Sequence, residues 1–329
     1  MTERETVPQE PRKETILASR TAYIFPGQGV QEVGMGFDLY NRSRAAKDVF
    51  DQADEVSGFP LTKFIFEGPK EELARTDRAQ PAIMTVSVAA YEAFKESRGG
   101  EIPTPLAVSG HSLGFYTAGV IGGSMSFEDG LRLVVERGRL MWEVSKEQEG
   151  GMTAIIGKFD LSVIEEICKV TGVDIANLNS DNQIIISGDK NSLARAIERI
   201  RGLSGIRTRD LEVSGAWHSR LMLPAQPGFD EAISGVTIKD PQVPISAISK
   251  RAFITSAQEV REEGRVTLCG GVNWRDSVRY MEDQGVANFI EFGTGKVLGG
   301  LNRQINMNLK TFNVNTMDSI QEFAAAVNF

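Results

Sequence analysis

The sequence predicts an α/β protein in which a large domain is interrupted by a small inserted one. Two features carry this. An apolar run ending in Leu106-Ala107-Val108 passes through Gly110-His111-Ser112-Leu113-Gly114 into small and apolar residues as far as Met125, a strand, a tight turn and a buried helix in succession. From Gly151 to Ser214 the texture changes to short strands and helices in the order β-α-β-β-α-β, the ferredoxin-like unit. A chain of 329 residues has room for both. The expected division is a disordered tail over 1–20, a large domain built from 21–150 and 215–329, and the small domain over 151–214.

Residues 1–20 mix Glu, Arg, Lys, Pro and Thr without an apolar core, which excludes a secretory signal or a membrane span there. Thr21 to Phe25 then reads as a buried strand running into Pro26-Gly27-Gln28-Gly29. A dinucleotide loop counted from Gly27 needs glycine at position 32, where Glu32 stands, so the turn is read as backbone amides held near a ligand. Helical periodicity follows over Gly36–Phe50 and Thr76–Ser97, the second with Ile83, Val86, Ala90 and Phe94 at helical spacing. Pro103-Thr104-Pro105 marks the entry to the strand before Ser112.

The G-x-S-x-G turn is a nucleophile elbow. Glycines flank the serine because the turn is too tight for side chains on both sides, and the following helix aims its first amides at whatever binds the hydroxyl. An imidazole base for Ser112 can come only from His111 or His218, the two histidines of the chain. Adjacent side chains on a tight turn diverge, which leaves His218.

A helix from Phe127 to about Lys146 is expected, capped by Ser126 with Asp129 as its capping-box partner. At 100° per residue Leu133, Val134, Leu140, Met141 and Val144 share one face, with Arg137 in its midst, while Arg132 and Arg139 project to solvent. A guanidinium among apolar neighbours requires an anion, either an internal carboxylate or that of a substrate. In the small domain, strands are expected at Met152–Gly157, Val173–Leu178, Gln183–Ser187 and Ile206–Val213, and helices at Leu161–Thr171 and Asn191–Leu203. His218 falls just past its end, where a cleft between domains would open. Beyond it come a polar helix after Pro224, a strand over Pro244–Ile248, a helix over Trp274–Gln284, a strand over Asn288–Phe292, and a Gly293-Thr294-Gly295-Lys296 turn into a further helix. That turn suits either a phosphate or a plain strand-to-helix connection.

A net charge of −8 argues against nucleic acid as the ligand. Cys168 and Cys269 lie far apart in no metal-ligand spacing, which predicts reduced thiols in a cytoplasmic protein without a zinc site or other metal.

Taken together, Phe25-Pro-Gly-Gln28-Gly, Gly110-His-Ser112-Leu-Gly, Arg137, Gly215-Ala-Trp-His218 and Glu291-Phe-Gly-Thr-Gly-Lys296-Val-Leu, in this order from about Ala22 to Ile305, resemble the malonyl-CoA:acyl carrier protein transacylases. The resemblance implies an α/β-hydrolase-like large domain with a ferredoxin-like small domain. It further implies Ser112 as nucleophile, His218 as base, Arg137 as the clamp on a malonyl carboxylate, and the amides of Gln28 and Leu113 as the oxyanion site. In that family a backbone carbonyl orients the histidine, and the matching segment here is near Thr267 to Gly271. The implied reaction passes a malonyl group from malonyl-CoA to the phosphopantetheine thiol of an acyl carrier protein, in fatty-acid or polyketide synthesis, with no cofactor, by a soluble monomer. Carrier proteins of this kind are acidic, so Arg195, Arg199, Arg201, Arg207, Arg209, Lys250 and Arg251 are candidates for a docking face. The sequence departs from the family where Phe115 replaces a glutamate, Thr294 and Gly271 replace prolines, and Trp217 replaces Phe or a smaller residue. Phe115 and Trp217 are expected to reshape the acyl pocket. Two other readings remain at this point: a serine esterase or thioesterase, which has no need of Arg137, and a non-catalytic binding module.

Overall fold

The structure, a computed structural model, describes residues 14–328. At its centre is a six-stranded sheet in the order Lys310–Val314, Asn288–Phe292, Thr21–Phe25, Ala107–Gly110, Ile245–Ser246, Phe253–Ile254. Every pairing is parallel except the last. All residues of Thr21–Phe25, Ala107–Gly110 and Asn288–Phe292 are buried, as a parallel sheet covered on both faces requires. Helix Thr76–Ser97 packs on this sheet, and helix Phe127–Glu147 packs on that helix. Tyr23, Tyr91, Phe94 and Phe292 meet edge to face or tilted between sheet and helix.

A second, four-stranded sheet has the order Asp174–Ser180, Gln183–Asp189, Gly150–Gly157, Ile206–Asp210 and is antiparallel throughout. Helices Leu161–Thr171 and Lys190–Arg201 complete a β-α-β-β-α-β chain order. Its apolar residues, among them Ile155, Ile164, Ile184, Ile186 and Ile200, form a cluster separate from the main core. One edge strand joins it to the rest: Leu178 N–H donates to the Val272 carbonyl and Val272 N–H to the Ala176 carbonyl.

Several expectations need correcting. The helix expected over 36–50 is two helices, Phe37–Arg42 and Arg44–Ser57. Ser43 breaks it by adopting an extended backbone, from which its hydroxyl caps the second helix at Ala46 N–H and donates to Glu96. Residues 14–20, assigned to a disordered tail, are ordered: Glu14–Thr15 pairs in parallel with Val327–Asn328, and Ile16 is buried. The remainder of that tail, 1–13, lies outside the described residues. Ser126 does cap the helix Phe127–Glu147 through Asp129 N–H, but without the reciprocal half of a capping box.

The Gly293–Lys296 turn is settled by Glu291. Its carboxylate accepts from Leu298 N–H and Gly299 N–H at the start of helix Val297–Ile305 and from Asn313 Nδ2. The amides at the helix N-terminus are therefore already taken by an internal carboxyl group, and the turn is a strand-to-helix connection. Burial pushes the Glu291 carboxyl up to about 7. Among the described residues no helix is long and apolar enough to cross a membrane.

Candidate active site

Strands Thr21–Phe25 and Ala107–Gly110 run side by side and end at the same level, which brings the Gly27 turn against the Ser112 turn. Glycine is what allows the approach. A Cβ on Gly110 would stand 2.0 Å from the Gly114 backbone, one on Gly114 2.3 Å from the Phe25 carbonyl, and one on Gly27 2.7 Å from the His111 carbonyl. Ser112 has φ +52° and His218 φ +56°, the only non-glycine residues with positive φ among those described. Non-glycine residues in the left-handed region cost of order 1–3 kcal/mol and cluster where geometry serves chemistry.

The two strained residues meet. Ser112 Oγ lies 2.7 Å from His218 Nε2, and His218 Nδ1 lies 2.9 Å from the Gly270 carbonyl. A carbonyl only accepts, so Nδ1 carries the proton and Nε2 is left as the acceptor for the serine hydroxyl. Burial, reinforced by the Arg137 cation, lowers the His218 pKa to about 3, which keeps the ring neutral. His111 faces elsewhere: its Nε2 is 2.9 Å from Asn179 Oδ1, and burial also lowers its pKa. Of the two histidines, only His218 is hydrogen-bonded to Ser112.

Arg137 is 1% exposed, in the middle of the apolar face of its helix. Arg132 and Arg139 are exposed and pair with Glu128, and with Glu136 and Glu143. The Arg137 guanidinium donates through Nη2 to Ser112 Oγ and to the Thr267 carbonyl, each at 3.3 Å, and through Nη1 to Gln80 Oε1. It also lies 5.6 Å from the centre of the Tyr116 ring. All these acceptors are neutral, and among the described residues its Nε finds no partner. Burial accordingly lowers its pKa. Of the two anions anticipated for it, no internal carboxylate is among its partners.

Ser112, Arg137 and His218 line one cleft of about 570 Å³ together with Gln28, Leu113, Met141, Asn177, Asn179, Gln183, Arg209 and Trp217. Among the described residues the backbone N–H groups of Gln28 and Leu113 find no acceptor. Leu113 is the N-cap of helix Gly114–Ile121, so its amide lies at the positive end of that helix. Trp217 lines the cleft as anticipated, whereas Phe115 does not: it is fully buried against Tyr116 behind the turn. Sequence reasoning passed over Gln80, Asn177 and Asn179. Gln80 left a trace, a polar residue on the face of helix Thr76–Ser97 that also carries Ile83; the asparagines left none.

A strained serine, a neutral imidazole and a buried cation in one cleft at the ends of parallel strands define an α/β protein built for acyl-group chemistry. The chain belongs to the acyl transferase domain family, whose model matches residues 22–292. It is 40% identical over 308 residues, 92% of this chain and 96% of the other, to a malonyl CoA-acyl carrier protein transacylase of Bacillus subtilis (strain 168). Among solved structures it resembles an acyl-carrier-protein S-malonyltransferase from Bartonella henselae, with a TM-score of 0.87, 35% identity, and 92% and 97% of the two chains covered. It also resembles a malonyl-transacylase solved in complex with its type II polyketide-synthase acyl-carrier protein, with a TM-score of 0.87, 34% identity, and 92% and 98% covered.

Two predictions follow from this geometry. Gly114→Ala should destabilise the protein by about 2 kcal/mol or more, read as a lowered urea midpoint, because its Cβ meets backbone that cannot yield. A wild-type midpoint would refute the close approach. The second concerns pH. Between about pH 3 and the ordinary 6.5 the unfolded chain binds a proton on residue 218 that the folded chain refuses, so that contribution to stability declines as pH falls through this window. The His218 ring stays neutral over nearly all of this window. Acylation of Ser112 by an activated ester should therefore show no acid-side inflection near pH 6.5, as measured by single-turnover kinetics.

Proposed function

We propose that this protein transfers a malonyl group from malonyl-CoA to the phosphopantetheine thiol of an acyl carrier protein through a malonyl-Ser112 intermediate. The observation that carries the reading is the Arg137 guanidinium, buried beside Ser112 Oγ with neutral partners only. A buried cation in this state suits a ligand that brings its own carboxylate, and a malonyl group does so one methylene away from the carbonyl to be attacked. The names of the relatives agree with this substrate. An esterase or thioesterase would have no use for such a cation, and the relatives lend that alternative no support.

In the proposed mechanism Ser112 Oγ forms a bond to the thioester carbonyl carbon while its proton passes to His218 Nε2. The amides of Gln28 and Leu113 hold the oxyanion. Collapse breaks the carbon–sulfur bond, and the proton on Nε2 leaves with the CoA thiolate. The carrier-protein thiol then attacks the malonyl-serine by the same route in reverse. Arg137 lowers the basicity of His218 in the empty site. A bound carboxylate would offset that field, so the imidazole would become a better proton acceptor when a diacid is in place.

The architecture behind this reading is an α/β-hydrolase-like large domain, 21–150 and 215–329, with a ferredoxin-like small domain, 151–214, inserted. The antiparallel order of the four-stranded sheet and its separate apolar cluster support the division. Of the candidate docking cations, Arg195 is tied to the Thr171 carbonyl and Ser192, Arg201 to Thr208, and Arg251 to Asp283. Arg199, Arg207 and Arg209 are exposed and have no such ties among the described residues, and Arg209 lines the cleft, so these three form the proposed contact for an acidic carrier.

Incubation with malonyl-CoA should add one malonyl group to the wild type by intact mass and none to Ser112→Ala. Arg137→Ala should lose about 2–4 kcal/mol of malonyl preference over acetyl, roughly 30- to 1000-fold in relative kcat/KM. A preference that survives the change removes the clamp from the mechanism. Charge reversal at Arg199 and Arg207 should raise the KM for the carrier protein, more at low salt than at high, without slowing acylation by malonyl-CoA. An unchanged KM would dismiss that face.

A further inference from the structure

Arg137 stands at one end of a chain of hydrogen bonds that leaves the cation and ends on Gln28, another residue lining the cleft. Its Nη1 donates to Gln80 Oε1. Gln80 Nε2 donates to Thr76 Oγ1 at 2.8 Å, and Thr76 Oγ1 donates to Gln28 Oε1 at 2.7 Å. Thr76 is fully buried and Gln80 is 1% exposed. The two sit one helical turn apart at the start of helix Thr76–Ser97, so the chain is braced by a rigid element.

The direction of every bond follows from the first. A guanidinium only donates, so the oxygen of the Gln80 amide must face it and the NH2 must face Thr76. The Thr76 oxygen, already accepting, turns its proton to Gln28, which must present its own oxygen. The side-chain bond thus holds Gln28, a residue that lines the cleft and whose backbone N–H finds no acceptor among the described residues. Gln80 Nε2 also lies 3.2 Å from Met141 Sδ, a weak acceptor that does not compete with this order.

We infer that Thr76 and Gln80 are positioning residues that use the buried Arg137 cation to orient Gln28, and so hold the Gln28 backbone amide where an oxyanion on the Ser112-bound acyl group would form. The inference rests on the roles proposed above for Ser112 and the Gln28 amide, and adds a mechanical link between the group that captures a carboxylate and the group that stabilises the reacting carbonyl. Preorganised donors lose much of their effect when misplaced by a fraction of an ångström.

The test uses Thr76→Val, which keeps the shape and removes the hydroxyl, Thr76→Ser, which restores it, and Gln28→Leu, which cuts the far end of the chain and leaves the backbone amide. Two rates are read on the full chain: transfer from malonyl-CoA, and the burst of p-nitrophenolate on acylation by p-nitrophenyl acetate. Thr76→Val and Gln28→Leu should each lower both rates roughly tenfold, with the KM for malonyl-CoA within about twofold of wild type, and Thr76→Ser should recover most of the loss. A folded Thr76→Val with wild-type rates, a loss confined to KM, or a Thr76→Ser as slow as the valine variant would each overturn the inference. Should Thr76→Val fail to fold, Gln28→Leu decides alone. If malonyl-CoA leaves the wild type unmodified while the ester acylates Ser112, the malonyl reading falls and the burst rates still judge the link. A wild type inert to the ester overturns both.

Discussion

The constraint on which the rest of this structure depends is a guanidinium buried beside a serine hydroxyl with, among the described residues, only neutral hydrogen-bond partners. An isolated charge in a protein interior is costly, and the chain compensates it with what neutral groups can offer: the Gln80 amide, the Thr267 carbonyl, the Ser112 oxygen and the face of Tyr116. These satisfy part of the fork and leave Nε open. On the function proposed above, the strongest interaction of this site is the one an arriving carboxylate would make.

The same cation shapes the acid–base chemistry around it. With Gly270 fixing the proton on Nδ1, His218 offers Nε2 to the serine, and burial with the nearby positive charge ensures that this nitrogen is unprotonated. The serine oxygen thus gives its proton toward the imidazole and accepts from the guanidinium. Backbone strain at residues 112 and 218 fixes the approach of the two side chains, and the glycines at 27, 110 and 114 let the supporting backbone close up behind them.

Much of the scaffold was legible because its periodicities are local. The strand Asn288–Phe292 and the helix Leu161–Thr171 have the bounds their patterns indicate, since apolar runs and flanking glycines act within a few residues. Where a side chain chose between local partners, the pattern failed: Ser43 ended one helix to cap another, and residues 14–20 joined the fold through a strand more than three hundred residues away in sequence. Phe115 looked like a pocket residue from its place next to the Ser112 turn, yet it is fully buried edge-on to Tyr116 and does not line the cleft.

By itself the sequence determined the elbow, the burial of Arg137 and, by having two histidines and no more, the identity of the imidazole, because each follows from residue type and spacing within one element. Only the tertiary structure decided that the Gly270 carbonyl orients that imidazole, that the cation has neutral partners alone, and that Thr76 and Gln80 tie it to Gln28. Those facts depend on the meeting of segments 48 to 130 residues apart, where a hydrogen bond of about 3 Å is set by how helices and strand ends pack, which no local pattern encodes.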